Sequence, residues 1–214
     1  MAARAVVLDA MGVLYRHGNV VSGVLIPYLR DLGCTASEDE IRRLYRRCTL
    51  GELPTEEFWA ALGVGHTASD IEYCGRHQLT VGTVDTLRSL RTADVTVLVL
   101  TNDAGPWSAH LRRRFGLEPY VDHWFVSSEI GARKPSPAAY DAVLAHPGVE
   151  AGSTVLVDDR PTNLAAASAA GFRPVLFHSE DTAANPVPDL EVTSARSMAD
   201  LLDVLLAATH TPAV

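Results

Sequence analysis

The chain has 214 residues, 47% of them apolar, and a formal net charge of −8. It holds enough apolar side chain to bury a core, and its acidic balance speaks against a nucleic-acid surface, which needs clustered Lys and Arg. No stretch reaches the roughly 18 consecutive apolar residues of a membrane span, and no basic flank leads into a long apolar run at the N-terminus.

Three cysteines, Cys34, Cys48 and Cys74, are widely spaced and odd in number, with neither metal spacing nor a C-x-x-C pair. They read as small buried residues of a soluble protein in a reducing, cytoplasmic compartment.

Residues 4–15 read R-A-V-V-L-D-A-M-G-V-L-Y. The run from Ala5 to Leu8 predicts a strand buried on both faces, broken at Asp9 and Gly12. In open α/β sheets ligands bind beyond the carboxyl ends of the strands, which places Asp9 for chemistry; the alternative is a carboxylate that caps the following turn. Beyond Tyr15 the apolar period becomes helical. Helices are predicted over 21–32, over 37–50 with Glu40 three residues after Ser37, over 55–62 with Glu56 and Glu57 in the first turn, and over 69–77. Their Trp and Tyr residues read as core. Arg42, Arg43, Arg46 and Arg47, and later Arg112, Arg113 and Arg114, read as solvated helical faces.

From Val84 onward helices and apolar strands alternate. The pattern predicts a helix over 84–90, a strand over 95–100 ending in Thr101-Asn102-Asp103, and a helix over 106–115 opened by Pro106. A strand over 124–126, a helix over 137–144 and a strand over 155–157 ending in Asp158-Asp159 follow. A helix over 161–170, a strand over 174–177 and a closing helix over 197–206 complete the set. Residues 179–189, with two prolines, are expected as loop and the last few residues as frayed. This predicts an α/β fold with a central parallel sheet of five strands. Residues 1–15 and 81–214 form the core, and 16–80 are a helical insertion after the first strand.

Four strand ends or adjacent loops then offer Asp9, Thr101-Asn102, Lys134 before Pro135, and Asp158-Asp159. In a parallel doubly wound sheet they lie along one edge, so residues distant in sequence converge. Carboxylates held together repel unless a hard cation such as Mg²⁺ sits among them. A Thr hydroxyl, a Lys ammonium and backbone N–H groups would surround an oxyanion such as a phosphoryl group. An acid beside a divalent cation is also able to serve as nucleophile.

These segments carry a resemblance. The chain resembles the haloacid dehalogenase superfamily, whose four motifs occur in order: V-V-L-D-A-M-G-V at 6–13, V-L-T-N at 99–102, G-A-R-K-P at 131–135 and V-L-V-D-D-R-P-T-N at 155–163. The stretch L-G-E-L-P-T-E-E-F-W-A-A-L at 50–62 is similar to the branch that includes epoxide-hydrolase N-terminal phosphatases and sugar-phosphate phosphatases. The resemblance implies a Rossmann-like core with a small helical cap, a Mg²⁺ cofactor and a small phosphorylated metabolite as substrate. It implies a monomer or homodimer without nucleic-acid or membrane partners. By the same resemblance Asp9 is the nucleophile, and Asp159 binds Mg²⁺ together with the Asp9 carboxylate and the backbone carbonyl of Met11. Asp158 and Asn163 orient the site and Lys134, Thr101 and Asn102 hold phosphoryl oxygens, and Lys134 neutralises charge on the nucleophile and the transferred group. Arg133 is expected to decorate the rim.

The sequence departs from the pattern at Met11, where phosphatases of the family usually carry a second aspartate that protonates the leaving oxygen. A thioether does not supply that proton, and general acid–base catalysis contributes on the order of 10² to 10⁴ in rate. Three readings follow: a phosphatase acting on esters whose leaving group needs little protonation or using a substitute acid; a 2-haloacid dehalogenase, in which halide leaves without a proton; and a catalytically weak protein that binds a phosphorylated ligand or partner as a regulator. Phosphoryl transfer to an acceptor other than water is a further variant. His17, just beyond the first motif, is either an exposed turn residue or the substitute acid.

Overall fold

The structure, a computed structural model, describes residues 5–182 and 192–210. β1 (Ala5–Leu8) is buried along its whole length, as an all-apolar run flanked by sheet on both sides must be. The chain then leaves the sheet. A single turn of π-helix over Val21–Leu25 runs without a break into α1 (Ile26–Asp31), so the helix expected over 21–32 is present and opens in π form before Pro27 enters the first α-turn. α2 (Glu38–Cys48), α3 (Thr55–Ala61) and α4 (Asp70–Gly75) follow. Ser37 caps α2 by accepting the Glu40 N–H at 3.2 Å, and Ser69 caps α4 through the Glu72 N–H at 3.1 Å.

α5 (Thr83–Thr92) returns the chain to the sheet as β2 (Thr96–Thr101), and α6 (Gly105–Arg114) leads to β3 (His123–Val126). α7 (Ser127–Ile130) and α8 (Pro137–Leu144) connect to β4 (Val155–Asp158). α9 (Pro161–Ala169), β5 (Arg173–Phe177), β6 (Thr193–Ala195) and α10 (Met198–His210) complete the described chain.

The sheet has six strands in the order β3-β2-β1-β4-β5-β6, all parallel. The sixth strand corrects the expected count of five. β6 is three residues long, two of them exposed, and a short polar edge strand gives no apolar run to read. It pairs with β5 from Val175 to Phe177. The expected loop over 179–189 and the expected frayed terminus lie partly outside the described residues.

The chain builds β2 and β3 on one side of β1 and β4 to β6 on the other. The order therefore reverses at β1, and the crevice beyond its carboxyl end is the place where such a sheet binds ligands.

The helices between β1 and α5 are fastened to the core by an aromatic cluster. Tyr28, Phe58, Trp59 and Tyr73 pack edge to face among themselves, and Trp107 of α6 enters the group with its centroid 4.8 Å from Tyr73 and 5.5 Å from Trp59. Such pairs add about 0.5–1.5 kcal/mol each beyond area burial. Asp70 bridges the same seam, accepting from Trp59 Nε1 at 2.8 Å, Trp107 Nε1 at 2.6 Å and Thr55 Oγ1 at 2.8 Å. Both indole N–H groups are thereby satisfied, and α3 and α4 are fixed against α6. All three cysteines are free and buried, as small apolar residues are. Among the described residues no helix is long and apolar enough to cross a membrane.

Candidate active site

Asp9 is the first residue beyond β1. Its N–H donates to the Val157 carbonyl at 2.9 Å, which extends the β1–β4 pairing up to the carboxylate. Oδ1 accepts from the Ala10 N–H at 2.7 Å and from Lys134 Nζ at 2.8 Å, so Oδ2 has no protein donor among the described residues.

Lys134 lies between α7 and α8, and its ammonium also reaches Asp158 Oδ2 at 2.6 Å. Its main chain is held on both sides by the Asn102 amide: Asn102 Nδ2 donates to the Lys134 carbonyl and Asn102 Oδ1 accepts its N–H, each at 2.9 Å. Asp158, the last residue of β4, accepts in turn from Asn163 Nδ2 at 3.0 Å on both oxygens and from the Arg160 N–H at 2.8 Å. Strand ends, one loop and the first turn of α9 thus clamp a buried carboxylate–ammonium–carboxylate row.

Asp159 completes the group. Carboxylate oxygens of Asp9, Asp158 and Asp159 lie within 4.8 Å of one another, all three residues buried. Gly12, at φ +88°, and Gly18 pass so close to Asp159 that a Cβ on either would collide with its carboxylate, which only glycine avoids. Asp159 Oδ2 is 3.5 Å from Ser179 Oγ, while the buried Oδ1 has no hydrogen-bond partner. A buried acceptor left without a donor is costly. One such oxygen beside two further carboxylates is the donor set that suits a hard cation.

The electrostatics agree. Burial, followed by the charges of Asp158 and Asp9, pushes the Asp159 carboxyl up to about 7. Burial also raises Asp9, to about 6, with Lys134 opposing and Asp158 reinforcing the rise. For Lys134 burial works against the charge, and the carboxylates of Asp158 and Asp9 override it, so the ammonium ends above its ordinary range.

The cleft above this floor encloses about 410 Å³. Of the residues named from the sequence, Asp9, Met11, Asn102, Lys134 and Asn163 line it, as do Arg133, expected at the rim, and Arg42 and Arg46, expected on a solvated helical face. Thr101, Asp158 and Asp159 sit behind the wall, each at most 1% exposed. Thr101 Oγ1 is buried and unpartnered, and the Asn102 side chain is occupied in bracing Lys134.

Sequence reasoning missed most of the remaining wall. Arg42, Tyr45 and Arg46 of α2 line the cleft opposite Arg133 and Arg160 of the core. Arg46 is exposed, as its helical face suggested, but that face is the cleft wall. Arg160 Nη2 donates to the Gly18 carbonyl at 2.7 Å and to Asn19 Oδ1 at 3.0 Å, and Asp181 accepts the Gly18 and Asn19 N–H groups at 2.9 and 3.0 Å. The segment that leads from β1 into the helices is therefore pinned from two sides. His17 stands 3.7 Å from Asp181 and is not on the cleft wall. Among the described residues that line the cleft, Asp9 is the one carboxylic acid and none is a histidine.

Comparison with known proteins agrees with this geometry. Residues 3–171 match the haloacid dehalogenase-like hydrolase family. The chain is 32% identical over 111 residues to flavin mononucleotide hydrolase 1 of Arabidopsis thaliana, covering 52% of this chain and only 45% of that protein. It is 28% identical to a sesquiterpene phosphatase of Aspergillus oryzae over 85% of this chain and 92% of the other. With a ribulose-1,5-bisphosphate 5-phosphatase of Halopiger xanaduensis it shares 29% identity over 78% of this chain and 71% of the other. A family enzyme of Bacteroides thetaiotaomicron, solved with magnesium and inorganic phosphate, superimposes with a TM-score of 0.72 at 19% identity over 83% of this chain and 96% of that one, which shows the shared fold. The sheet order, the floor of Asp9, Lys134 and Asp158, and the match over most of the sequence lead to one assignment: the chain belongs to the haloacid dehalogenase-like hydrolases.

Proposed function

We propose that the protein is a Mg²⁺-dependent phosphomonoester hydrolase acting on a small phosphorylated metabolite, with Asp9 as nucleophile and residues 16–80 as the cap over the site. The observation that carries this reading is the buried trio Asp9, Asp158 and Asp159 with its unpartnered Asp159 oxygen, directly beside Lys134. A reaction in which halide leaves has no use for such a cation site. Asp9, Asp159 and the Met11 main-chain carbonyl would hold Mg²⁺, which when bound lowers the repulsion among the carboxylates and draws charge from the phosphoryl oxygens. The curated relatives are named for different phosphate esters, so they support the phosphatase class rather than a substrate.

In the first step Asp9 attacks phosphorus, the Asp9 Oδ–P bond forms and the bond from phosphorus to the leaving oxygen breaks. Lys134, ionised between Asp9 and Asp158, offsets charge gathering on the transferred group. Water then attacks phosphorus and breaks the Asp9 Oδ–P bond, which restores the Asp9 carboxylate and releases phosphate, the proton of the water leaving to solvent. Met11 offers the leaving oxygen no proton, and the ionisable hydroxyl on the wall, Tyr45, is a poor donor because burial raises its phenol above the ordinary range. The enzyme therefore favours esters that depart without protonation, such as acyl or anomeric sugar phosphates.

The test is a panel of sugar phosphates, acyl phosphates, nucleotides and 2-haloacids assayed with Mg²⁺ and with chelator. Phosphate release confined to Mg²⁺ is the expected result, and Asp159→Asn should lose the Mg²⁺-induced rise in Tm. Chelator-resistant release of halide from a 2-haloacid would replace this reading with the dehalogenase reaction.

A further inference from the structure

Four arginines line a cleft in whose floor Lys134 is already paired with Asp9 and Asp158. They are not equivalent. Arg42 pairs with Glu38 at 3.4 Å, and Arg160 is engaged with the Gly18 carbonyl and Asn19. For Arg46 and Arg133 no carboxylate lies within ion-pair distance among the described residues, and Arg133 Nη1 is buried with no hydrogen-bond partner. The guanidinium of Arg133 stands 5.8 Å from the Tyr45 ring centroid, and Tyr45 is stacked at 15° on Trp107. An aromatic pedestal anchored in the seam between helices and core thus holds Arg133 in place.

Arg46 follows Tyr45 on α2 and is near enough to Arg133 that the two charges repel, as does that of Arg160. The carboxyl that bears on Arg133 from below is Asp103, which makes no ion pair with it; burial raises Asp103 itself to about 7. Like charges gathered round a partly buried cleft, with an orphaned donor among them, are costly until an anion meets them.

The scissile phosphoryl group does not fill this role, because Lys134 and the cation-binding carboxylates serve it at the floor. We propose that the substrate carries a second anionic group, a carboxylate or a further phosphoryl group, and that Arg133 and Arg46 hold it against the cap side of the cleft. This deepens the phosphatase reading and rests on it for which end of the substrate reacts. Arg133 supplies a fork of fixed donors suited to two oxygens of one anion, and Arg46 supplies an exposed charge that closes over it.

The test uses matched probes that cannot be hydrolysed: propylphosphonate, 3-phosphonopropionate and propane-1,3-diphosphonate, titrated calorimetrically into the protein with Mg²⁺ in excess. The two probes with a second anion should bind about tenfold or more tighter than propylphosphonate. Their order relative to each other tells carboxylate from phosphoryl recognition. Arg133→Gln and Arg46→Gln should each shrink that ratio, and Arg133→Lys should keep part of it. Because Arg46 is exposed, Arg46→Gln gives the answer even where Arg133→Gln does not fold. Equal binding of the three probes, no binding of any, or a ratio untouched in both Gln variants overturns the inference. Turnover of p-nitrophenyl phosphate in Mg²⁺ separates the two readings: turnover without the binding ratio removes only this inference, and the ratio without turnover of any ester removes only the catalytic one.

Discussion

At the floor of the cleft Lys134 has its anions, whereas on the wall the guanidinium groups of Arg46 and Arg133 have none among the described residues. Lys134 lies 2.8 Å from Asp9 and 2.6 Å from Asp158, and Asp158 is further held by Asn163 and the Arg160 N–H. The row of Asp9, Lys134 and Asp158 is paired before any substrate arrives, and nothing in it depends on what the rest of the substrate looks like. The wall is finished only by a ligand. The division follows the fold: the floor is built at the strand ends of the sheet, and the wall is shared between Arg46 of the helical insertion and Arg133 of the core.

The largest effect should come from breaking the floor. Asp9→Asn removes the proposed nucleophile while leaving Lys134 paired with Asp158, so hydrolysis should fall more than about 10³-fold with the far-UV circular dichroism unchanged. Residual turnover within a factor of ten of wild type would exclude a covalent role for Asp9.

Next in size is Met11, where floor and wall meet. Met11→Asp places a proton donor beside the leaving oxygen and should speed poor alkyl leaving groups by about one to two decades while barely changing p-nitrophenyl phosphate. If wild type shows a flat dependence on leaving-group pKa and the variant gains nothing on alkyl esters, some other residue delivers the proton.

The smallest expected effect lies at the seam that holds the wall in place. His77 is 2% exposed, packed edge-on between Tyr15 and Tyr73, with Nδ1 3.3 Å from the Tyr73 carbonyl and Nε2 unpartnered. Burial, reinforced by the nearby charges of His17 and Arg114, lowers its pKa to about 4. The unfolded chain therefore binds this proton at a higher pH than the folded one. The stability that follows is present above the unfolded pKa of about 6.5 and is lost as pH falls towards 4. Between pH 7 and 5 the loss amounts to about 2 kcal/mol. The difference between the Tm–pH curves of wild type and His77→Phe isolates it, and parallel curves would contradict it.

How much of this was legible in the sequence depended on how local the signal was. β1, β2 and β4 are continuous apolar runs that stop at polar residues, and Ser37 with Glu40 announces α2, so these elements and the Asp9, Lys134 and Asp158-Asp159 set could be read directly. β6 could not, since two of its three residues are exposed and its pairing with β5 is the whole of its signal. The periodicity of α2 told which side of the helix is buried, Ile41, Leu44, Tyr45 and Cys48. It could not tell that the neighbouring stripe of Arg42 and Arg46 would be set down opposite Arg133, because that depends on where Trp107 and Asp70 dock the insertion. Asn102 was expected to hold phosphoryl oxygens, and the two bonds of its side chain to the Lys134 main chain add a bracing role that the sequence did not announce. Asp181, within a stretch expected to be plain loop, turned out to pin the segment that leads into the insertion.

The central claim is that Asp9 takes the phosphoryl group from the substrate, and the most direct measurement is acid-quench mass spectrometry of the protein mixed with a turned-over phosphomonoester in Mg²⁺. The account predicts one added phosphoryl group on the peptide that contains Asp9, present in wild type during turnover, discharged when substrate is exhausted and absent from Asp9→Asn. Steady turnover with no phosphorylated peptide at any quench time, or the phosphoryl group found on a different residue, would contradict it.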